Sequence, residues 1–144
     1  CLLGRGQAFD YQAFIDLGHL HCCALAIGCA QAALDYLVPY CNERQAFGEP
    51  ISHRQSVAFM LADIAIELES MRLLTWRACA RADAGMSFHR EAYLAHTLCA
   101  EKAMQIGTQS VQLLGGHGFT KEHPAERWYR DLRALACQTS GLHL

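Results

Sequence analysis

Long segments of the chain carry apolar residues every three or four positions. In the segment from about 52 to 84, the intervals between successive apolar residues are four, three, four and three, at Val57, Leu61, Ile64, Leu68 and Met71. That spacing predicts an α-helix with one face packed in a bundle, while Asp63, Glu67 and Arg77 face water. The segment from about 11 to 42 has similar spacing and is rich in Ala, Leu and Cys, so it predicts a helix that is buried on several sides.

Glycine, proline and capping residues mark where the helices should end. Ser52 is the predicted N-cap of the second helix, and Gly85 is its predicted stop. The third helix is predicted from about 89 to 114, where Gly115 and Gly116 end it, and a fourth, shorter helix from after Pro124 to about 137. Pro39 is expected to kink the first helix or to tighten its last turns.

No stretch alternates between apolar and polar residues over a useful length, so strands are not expected beyond the ends of the chain. Four long helices with short connections predict an all-α, antiparallel four-helix bundle over residues 11–144.

Composition excludes some partners. Of the 144 residues, 52% are hydrophobic and 18% are charged, with a net charge of -2 and no basic run, which argues against a nucleic-acid partner. No uninterrupted apolar run reaches the roughly 18 to 20 residues of a membrane span, and the first residues do not resemble a signal peptide. We therefore expect a protein of the cytoplasm or of an organelle matrix. The eight cysteines sit within helical patterns and are expected to be reduced.

The connection "NERQAFGEPISHRQ", residues 42–55, carries more than a short turn needs. Arg44 offers a planar fork of donors that matches a phosphate. The alternative is an ordinary helix end, at which the positive charge of Arg44 interacts with the negative end of the helix dipole and Gly48 allows the chain to turn.

The stretch "QLLGGHGF", residues 112–119, is the second unusual connection. Successive glycines let a ligand approach the backbone closely, and Gln112 offers an amide that can both donate and accept. A helix C-cap followed by a turn explains the same letters. The pattern is no dinucleotide fingerprint, because it closes a helix instead of opening one.

Other clusters have simpler interpretations. "HLHCC", residues 19–23, combines imidazole and thiol as zinc sites do, but no second pair has ligand spacing, so buried cysteines are favoured and no metal is expected. His117, His123 and His143 are interpreted as turn and tail residues, and Trp128 and Tyr129 as packing for the fourth helix.

Together, the two connections resemble the C-terminal helical domain of the acyl-CoA dehydrogenase family, flavoenzymes that oxidise acyl-CoA thioesters to enoyl-CoA. "ERQAFGEPISHRQSVAFMLAD" is similar to the family block R-x-x-F-G-x-x-I-x-x-x-Q, and "QLLGGHGFTKEHPAERWYRDLR" to its Q-x-x-G-G-x-G-[FY] block, which ends in R-x-x-R-D. "LLGRGQAFDYQ" resembles the exit from the family's middle β domain, so residues 1–10 are expected to end that domain or link to it. The likeness covers about the last third of a family member, so the N-terminal and middle domains are expected to lie outside this chain.

The resemblance implies FAD as cofactor and an FAD site shared with another copy of the chain, in a dimer or tetramer. By the family's pattern, Arg44 would contact the FAD pyrophosphate, with Phe47 and Gln55 lining the same pocket. Gln112, Gly115 and Gly116 would approach the adenosine half.

An acyl-CoA substrate is also implied. Asp16 matches an aspartate near the CoA arm, while His19 stands where the family has an arginine.

The family's catalytic base is not found at either of its two positions. Removing the proton alpha to a thioester needs a carboxylate. Thr139 stands at the position of the usual glutamate, and Gly18 at the position that a minority of members use. The tail "QTSGLHL" therefore either diverges from the family or is unrelated to it.

Two functions are compatible with these features. The chain is the C-terminal domain of a working acyl-CoA dehydrogenase, with its base supplied from elsewhere, or a non-catalytic helical module that keeps the FAD-facing and oligomerising surfaces. In both cases the chain alone is expected to be inactive.

Overall fold

The computed structural model describes residues 9–138, which form a bundle of four α-helices. The helices are α1 (Tyr11–Glu43), α2 (Gln55–Asp83), α3 (His89–Leu114) and α4 (Ala125–Cys137). Helix α1 packs against the other three, and α3 also contacts both α2 and α4. The predicted all-α four-helix bundle is confirmed.

Small side chains fill the space between α1 and α3. Buried residues recur every three or four positions on both helices; they include Cys23, Ala26, Ala30, Leu37, Ala92, Ala95, Cys99, Ala103 and Ile106. Small residues let two helix backbones approach closely while the core stays dense. Contrary to the prediction for α1, only one face is fully buried, because Phe14, Leu17 and Leu25 remain about half exposed.

The apolar face predicted for α2 packs against another side of this core. Ile64, Leu68 and Met71 are buried, and Val57 and Leu61 pack against them while partly exposed. Glu67, which was expected in water, is half-buried and pairs with Lys102, with its Oε1 3.1 Å from the lysine Nζ.

Helix ends agree with the prediction at all but one place. α3 ends before Gly115, and Gly85, with a φ of +67°, follows the end of α2. Ser52 is not the N-cap of α2, because residues Ile51–His53 form a 3-10 turn and Arg54 precedes the helix instead. Pro50 explains the difference, since its fixed φ leads the chain into that tighter turn. α1 continues through Pro39 to Glu43.

The connection between α1 and α2 contains an unpredicted hairpin. Strands β1 (Gln45–Ala46) and β2 (Glu49–Pro50) pair antiparallel. Both residues of the turn have positive φ, +58° at Phe47 and +87° at Gly48, as tight hairpins require. Strands of two residues are too short to produce an alternating pattern, so periodicity could not indicate them.

Helix α4 lies close against α3. A Cβ at Gly107 would stand 3.2 Å from the Cα of Tyr129, so a larger residue would push the two helices apart. Leu132 is fully buried beside Gly107 and anchors α4 to the core.

By length and composition alone, α1 could cross a membrane. Core helices of soluble proteins satisfy the same criterion, and α1 packs against the three other helices of the bundle. The seven cysteines among the described residues are all free thiols, as expected.

Candidate functional site

Arg44 stands where α1 passes into the hairpin. Its backbone N–H donates to the Tyr40 carbonyl oxygen over 2.9 Å, and its own carbonyl oxygen accepts from the Ile51 N–H, also over 2.9 Å. These bonds fix the backbone on both sides of the residue. The side chain is exposed, and within residues 9–138 no hydrogen bond or ion pair occupies its guanidinium. Arg44 is thus held by its backbone with its five donors open to a partner.

Phe47 forms the tip of the hairpin and is 95% exposed. A positive φ is rare for a bulky residue, and here the tight turn of the hairpin imposes it. The Arg54 guanidinium lies 5.0 Å from the centre of the ring, within the range of a cation–π contact. The sequence interpretation missed Arg54, because nothing in the pattern shows that the hairpin folds back over the start of α2. Gln55, the third predicted residue here, is exposed in the first turn of α2.

The glycine turn after α3 is a 3-10 segment, Gly115–Phe119, whose glycines differ in their surroundings. Gly115 has a φ of +60° and a ψ of -132°, a combination that favours glycine. A Cβ at Gly118 would stand 2.5 Å from the Val111 carbonyl oxygen, so the turn packs directly on α3. A Cβ at Gly116 would meet no atom within 4 Å. Packing within the part of the chain that the structure describes therefore does not account for the glycine at 116.

A cavity of about 400 Å³ opens beside this turn, between the end of α3 and the start of α4. It is lined by Thr108, Val111, Gln112, Gly118, Phe119, Glu126, Tyr129 and Arg130. Gln112, predicted as a ligand contact, is exposed on this surface. Arg130 is engaged by Glu126, with Nε 2.8 Å from Oε2, and this bond lowers the pKa of Glu126. Tyr129 lines the cavity, so it does more than pack α4, whereas Trp128 does pack against the core.

Two tyrosine–histidine hydrogen bonds attach the glycine turn and the segment after it to α1. The Tyr40 hydroxyl lies 2.9 Å from His117 Nδ1, and the Tyr36 hydroxyl lies 2.6 Å from His123 Nδ1. The two imidazoles are stacked, with centroids 4.9 Å apart. His117 and His123 are turn residues, as predicted, but they also bridge elements, which the sequence interpretation did not indicate.

These contacts bring the two predicted halves of the site to the same end of the bundle. Burial raises the pKa of Tyr40, and the nearby positive charge of Arg44 opposes that rise. Tyr40 therefore links the two halves: its carbonyl oxygen accepts from the Arg44 backbone N–H, and its hydroxyl lies 2.9 Å from His117 Nδ1 in the glycine turn. The spacing along the chain gave no sign of this contact, because Tyr40 and His117 are 77 residues apart.

Asp16 lies toward the opposite end of α1, in a hydrogen-bonded cluster. Its Oδ1 is 2.9 Å from both Gln12 Nε2 and His89 Nδ1, and the residue is buried. It also borders a cleft of about 310 Å³, lined by Asp10, Gln12, Ala13, Asp16, Gly85, Met86, Ser87, Phe88 and His89. His19, the second residue predicted near the substrate, does not border this cleft. It is buried against His96, with ring centroids 4.4 Å apart.

The two positions considered for the catalytic base are those of Gly18 and Thr139. Gly18 lies on an exposed face of α1, and a Cβ there would meet nothing within 4 Å. Thr139 lies outside the described residues. Across residues 9–138, no group of three or more His, Cys, Asp or Glu side chains is arranged to hold a metal ion.

Comparison with known proteins gives consistent matches along the chain. A family model described as acyl-CoA dehydrogenase, C-terminal domain, matches residues 4–138. The short-chain specific acyl-CoA dehydrogenase, mitochondrial, of Bos taurus is 48% identical over 119 residues, which are 83% of this chain and 29% of the bovine protein.

Solved structures agree with this match. Butyryl-CoA dehydrogenase from Megasphaera elsdenii is 34% identical, with a TM-score of 0.84 over 86% of this chain and 32% of that protein. A structure of PigA with FAD and proline is 27% identical, with a TM-score of 0.81 over 84% of this chain and 32% of PigA. The chain thus spans about a third of the length of the proteins that it matches.

Proposed function

The chain belongs to the acyl-CoA dehydrogenase family, as its C-terminal helical domain, and we propose that it supplies part of an FAD site in a fuller protein that oxidises acyl-CoA thioesters to enoyl-CoA. Two domains that precede it in that protein would supply the rest of the FAD and acyl pockets, with residues 1–10 as the link to them. The chain by itself is proposed to have no turnover.

One observation carries the FAD proposal. An exposed guanidinium and an exposed glycine backbone lie at the same end of the bundle, and contacts among the described residues explain neither. Arg44 has a fixed backbone and an unoccupied guanidinium, and beside Gly116 there is a space that no atom of residues 9–138 fills. A guanidinium suits a pyrophosphate, and an open glycine suits close approach by a flat ligand. FAD offers both a pyrophosphate and flat ring systems.

We assign the FAD contacts by the same reasoning. Arg44 would bind the pyrophosphate, and Phe47 and Gln55 would line the surface beside it. Gln112, which lines the cavity beside the glycine turn, would face the adenosine half together with Gly115 and Gly116 of the turn itself. When bound, FAD supplies hydride acceptance from the β-carbon of the substrate. Tyr40 and His117 would keep the two surfaces in register through their hydrogen bond.

The CoA arm is proposed to pass near Asp16. The cleft of about 310 Å³ at this carboxylate supports the proposal, and His89 holds the carboxylate in place. His19 is buried against His96 and does not border this cleft, so Asp16 is the residue that we propose for the CoA arm.

A second copy of the chain is the proposed partner at the outer face of α2. Phe59, Ile66, Leu73 and Trp76 recur along this helix at intervals of seven, seven and three residues, and each is about 60% exposed. Monomeric proteins rarely expose such a continuous apolar stripe, so it is suited to a dimer or tetramer interface. The bovine relative is named as mitochondrial, and an organelle matrix or the cytoplasm is the proposed location.

The catalytic base is the element that separates the two functions that we consider. A fuller protein that works as a dehydrogenase needs a carboxylate at the alpha carbon, and Thr139 stands at the family's usual position for it. The alternative is a non-catalytic module that binds FAD and assembles with other chains. The threonine favours this alternative, whereas the match along residues 4–138 favours a dehydrogenase.

Anaerobic titration with butyryl-CoA separates these functions. The full-length protein that carries this chain is loaded with FAD, and the flavin absorbance is followed in the wild type, Thr139→Glu and Thr139→Gln. If the protein is a dehydrogenase, the flavin absorbance bleaches in the wild type, or it bleaches in Thr139→Glu but not in Thr139→Gln. Glutamine has the size of glutamate but no carboxylate that could act as a base. Bound flavin that none of the three variants bleaches would establish the non-catalytic module. Failure to retain FAD at all would overturn the contact assignment.

A further inference from the structure

A cluster of thiols lies where α1, α3 and the end of α4 meet, away from the proposed FAD surfaces. Cys22, Cys23, Cys99 and His96 line a small cavity of about 10 Å³. The rest of its wall is apolar and mostly small: Ala26, Ala100, Ala103, Leu135 and Ala136. A space of this size holds about one water-sized molecule.

Cys23 and Cys99 face each other across the interface of α1 and α3. Cys23 is fully buried, Cys99 is 3% exposed, and both residues line the same water-sized cavity. The small residues Ala26 and Ala103 border the same cavity and let the two helices come close at this level. Nothing in the proposed FAD or acyl-CoA chemistry uses these two thiols.

We propose that Cys23 and Cys99 form a peroxide-sensitive dithiol, which closes to a disulfide that joins α1 to α3. The small size of the cavity that both thiols line determines which oxidant can reach them. Hydrogen peroxide is little larger than water and can enter it, whereas a bulky disulfide such as oxidised glutathione cannot. The half-buried Cys22 and Ala100 at the wall of the cavity connect it to the surface.

Cys99 is the thiol that reacts first. A hydrogen bond from Cys23 lowers the pKa of Cys99, and the same bond, together with burial, raises the pKa of Cys23. Thiolate is the reactive form of cysteine, so the lower pKa favours attack by the Cys99 sulfur. Thr75 supports this sulfur only weakly, because its Oγ1 is 4.0 Å away and donates to the Met71 carbonyl oxygen.

The reaction balances with one peroxide for each disulfide. The Cys99 sulfur takes one oxygen from hydrogen peroxide, which leaves a sulfenic acid and one water. The Cys23 sulfur then displaces the hydroxyl group from the Cys99 sulfur, its proton completes a second water, and the sulfur–sulfur bond forms. Two thiols have lost two electrons and two protons, and the peroxide has been reduced to two waters. A thiol reductant reverses the change.

Non-reducing peptide mapping of the folded 144-residue chain after brief treatment with hydrogen peroxide tests the proposal. Remaining thiols are alkylated before digestion, and mass spectrometry identifies each cross-link. We expect the Cys23–Cys99 cross-link to be the most abundant, to form much faster than with oxidised glutathione, and to disappear after reduction. In urea, this preference should be lost, because the cavity no longer exists.

Variants separate the roles of the two thiols. In Cys23→Ala, Cys99 should accumulate as a sulfenic acid that dimedone traps, and in Cys99→Ala, Cys23 should stay reduced. Cys79→Ala removes a half-buried thiol of α2 outside the cavity and should leave the cross-link unchanged. The proposal is overturned if folded wild-type protein keeps Cys99 reduced while Cys137 oxidises, or joins Cys99 mainly to Cys22. This result is independent of FAD binding, since the experiment contains no flavin.

Discussion

At the scale of single residues, two glycines of the same turn differ: packing against α3 requires a glycine at 118 but not at 116. We predict that Gly118→Ala lowers the free energy of unfolding by roughly 1 to 3 kcal/mol, because the new methyl group would stand 2.5 Å from the Val111 carbonyl oxygen and force the turn off α3. Gly116→Ala is the matched control and should leave stability almost unchanged, since nothing lies within 4 Å of its Cβ. Urea unfolding followed by circular dichroism measures both.

Equal losses in the two glycine variants would contradict this account of the turn. If Gly116→Ala alone weakened FAD binding in the fuller protein while stability stayed constant, the glycine at 116 would serve the ligand, as proposed.

The thiol of Cys29 gives the protein a dependence on alkaline pH. Burial, helped by the negative charge of Asp131, raises the pKa of Cys29 to about 11. An ordinary thiol in the unfolded chain has a pKa of roughly 8.5, so between these values the unfolded state loses the proton first. The free energy of unfolding should therefore be unaffected by Cys29 below the lower value and fall as the pH rises toward the higher one.

Urea midpoints at about pH 8 and about pH 10.5 measure this dependence. Other buried thiols contribute to the fall, so the comparison is between the wild type and Cys29→Ala. The variant should lose less stability over the interval. An identical loss in both proteins would mean that Cys29 titrates normally in the fold.

At the scale of elements, the helices were predictable because each carries its own signal. The positions of α3 and α4 follow from apolar spacing together with Gly115 and Pro124, and both agree with the structure. The start of α2 was wrong because Pro50 imposed a 3-10 turn where Ser52 offered a cap. The burial of α1 was overestimated, because an apolar composition does not reveal which face has a neighbour.

Leu132 is the large side chain of α4 that is fully buried against α3. We predict that Leu132→Ala lowers the free energy of unfolding by about 2 to 5 kcal/mol, because it empties a fully buried position beside Gly107. Arg133→Ala, one position along on the exposed side of the same helix, should change stability little. Thermal or urea unfolding of the two variants measures the difference, and comparable values would show that α4 is not anchored by its buried face.

At the scale of the whole molecule, the candidate site could be only partly predicted. Arg44 and the glycine turn stood out as unusual connections, but a helix cap explained each of them, and only the family resemblance joined the two. Their physical link, Tyr40 with His117, spans 77 residues of sequence and has no local signature. Phe47 illustrates the same limit, because its positive φ and its contact with Arg54 arise from how the hairpin folds.

Self-association is expected through the exposed apolar stripe of α2. Replacing Ile66 by Glu places a charge in the middle of this stripe, so the dimer or tetramer should dissociate toward monomer in analytical ultracentrifugation. Asp83→Lys is the control, since it changes charge at an exposed position at the end of the same helix, seven residues beyond Trp76 and outside the stripe. Equal dissociation by the two variants, or none by Ile66→Glu, would place the interface elsewhere.

The central claim is that the Arg44 end of this bundle binds FAD, and the affinity of the full-length protein for FAD tests it most directly. Arg44→Gln should weaken binding by roughly tenfold to a hundredfold, the value of one or two hydrogen bonds to a charged group. Arg90→Gln makes the same charge change at the opposite end of the bundle, at the start of α3, and should bind FAD like the wild type. Wild-type affinity in Arg44→Gln, or an equal loss in Arg90→Gln, would contradict the claim.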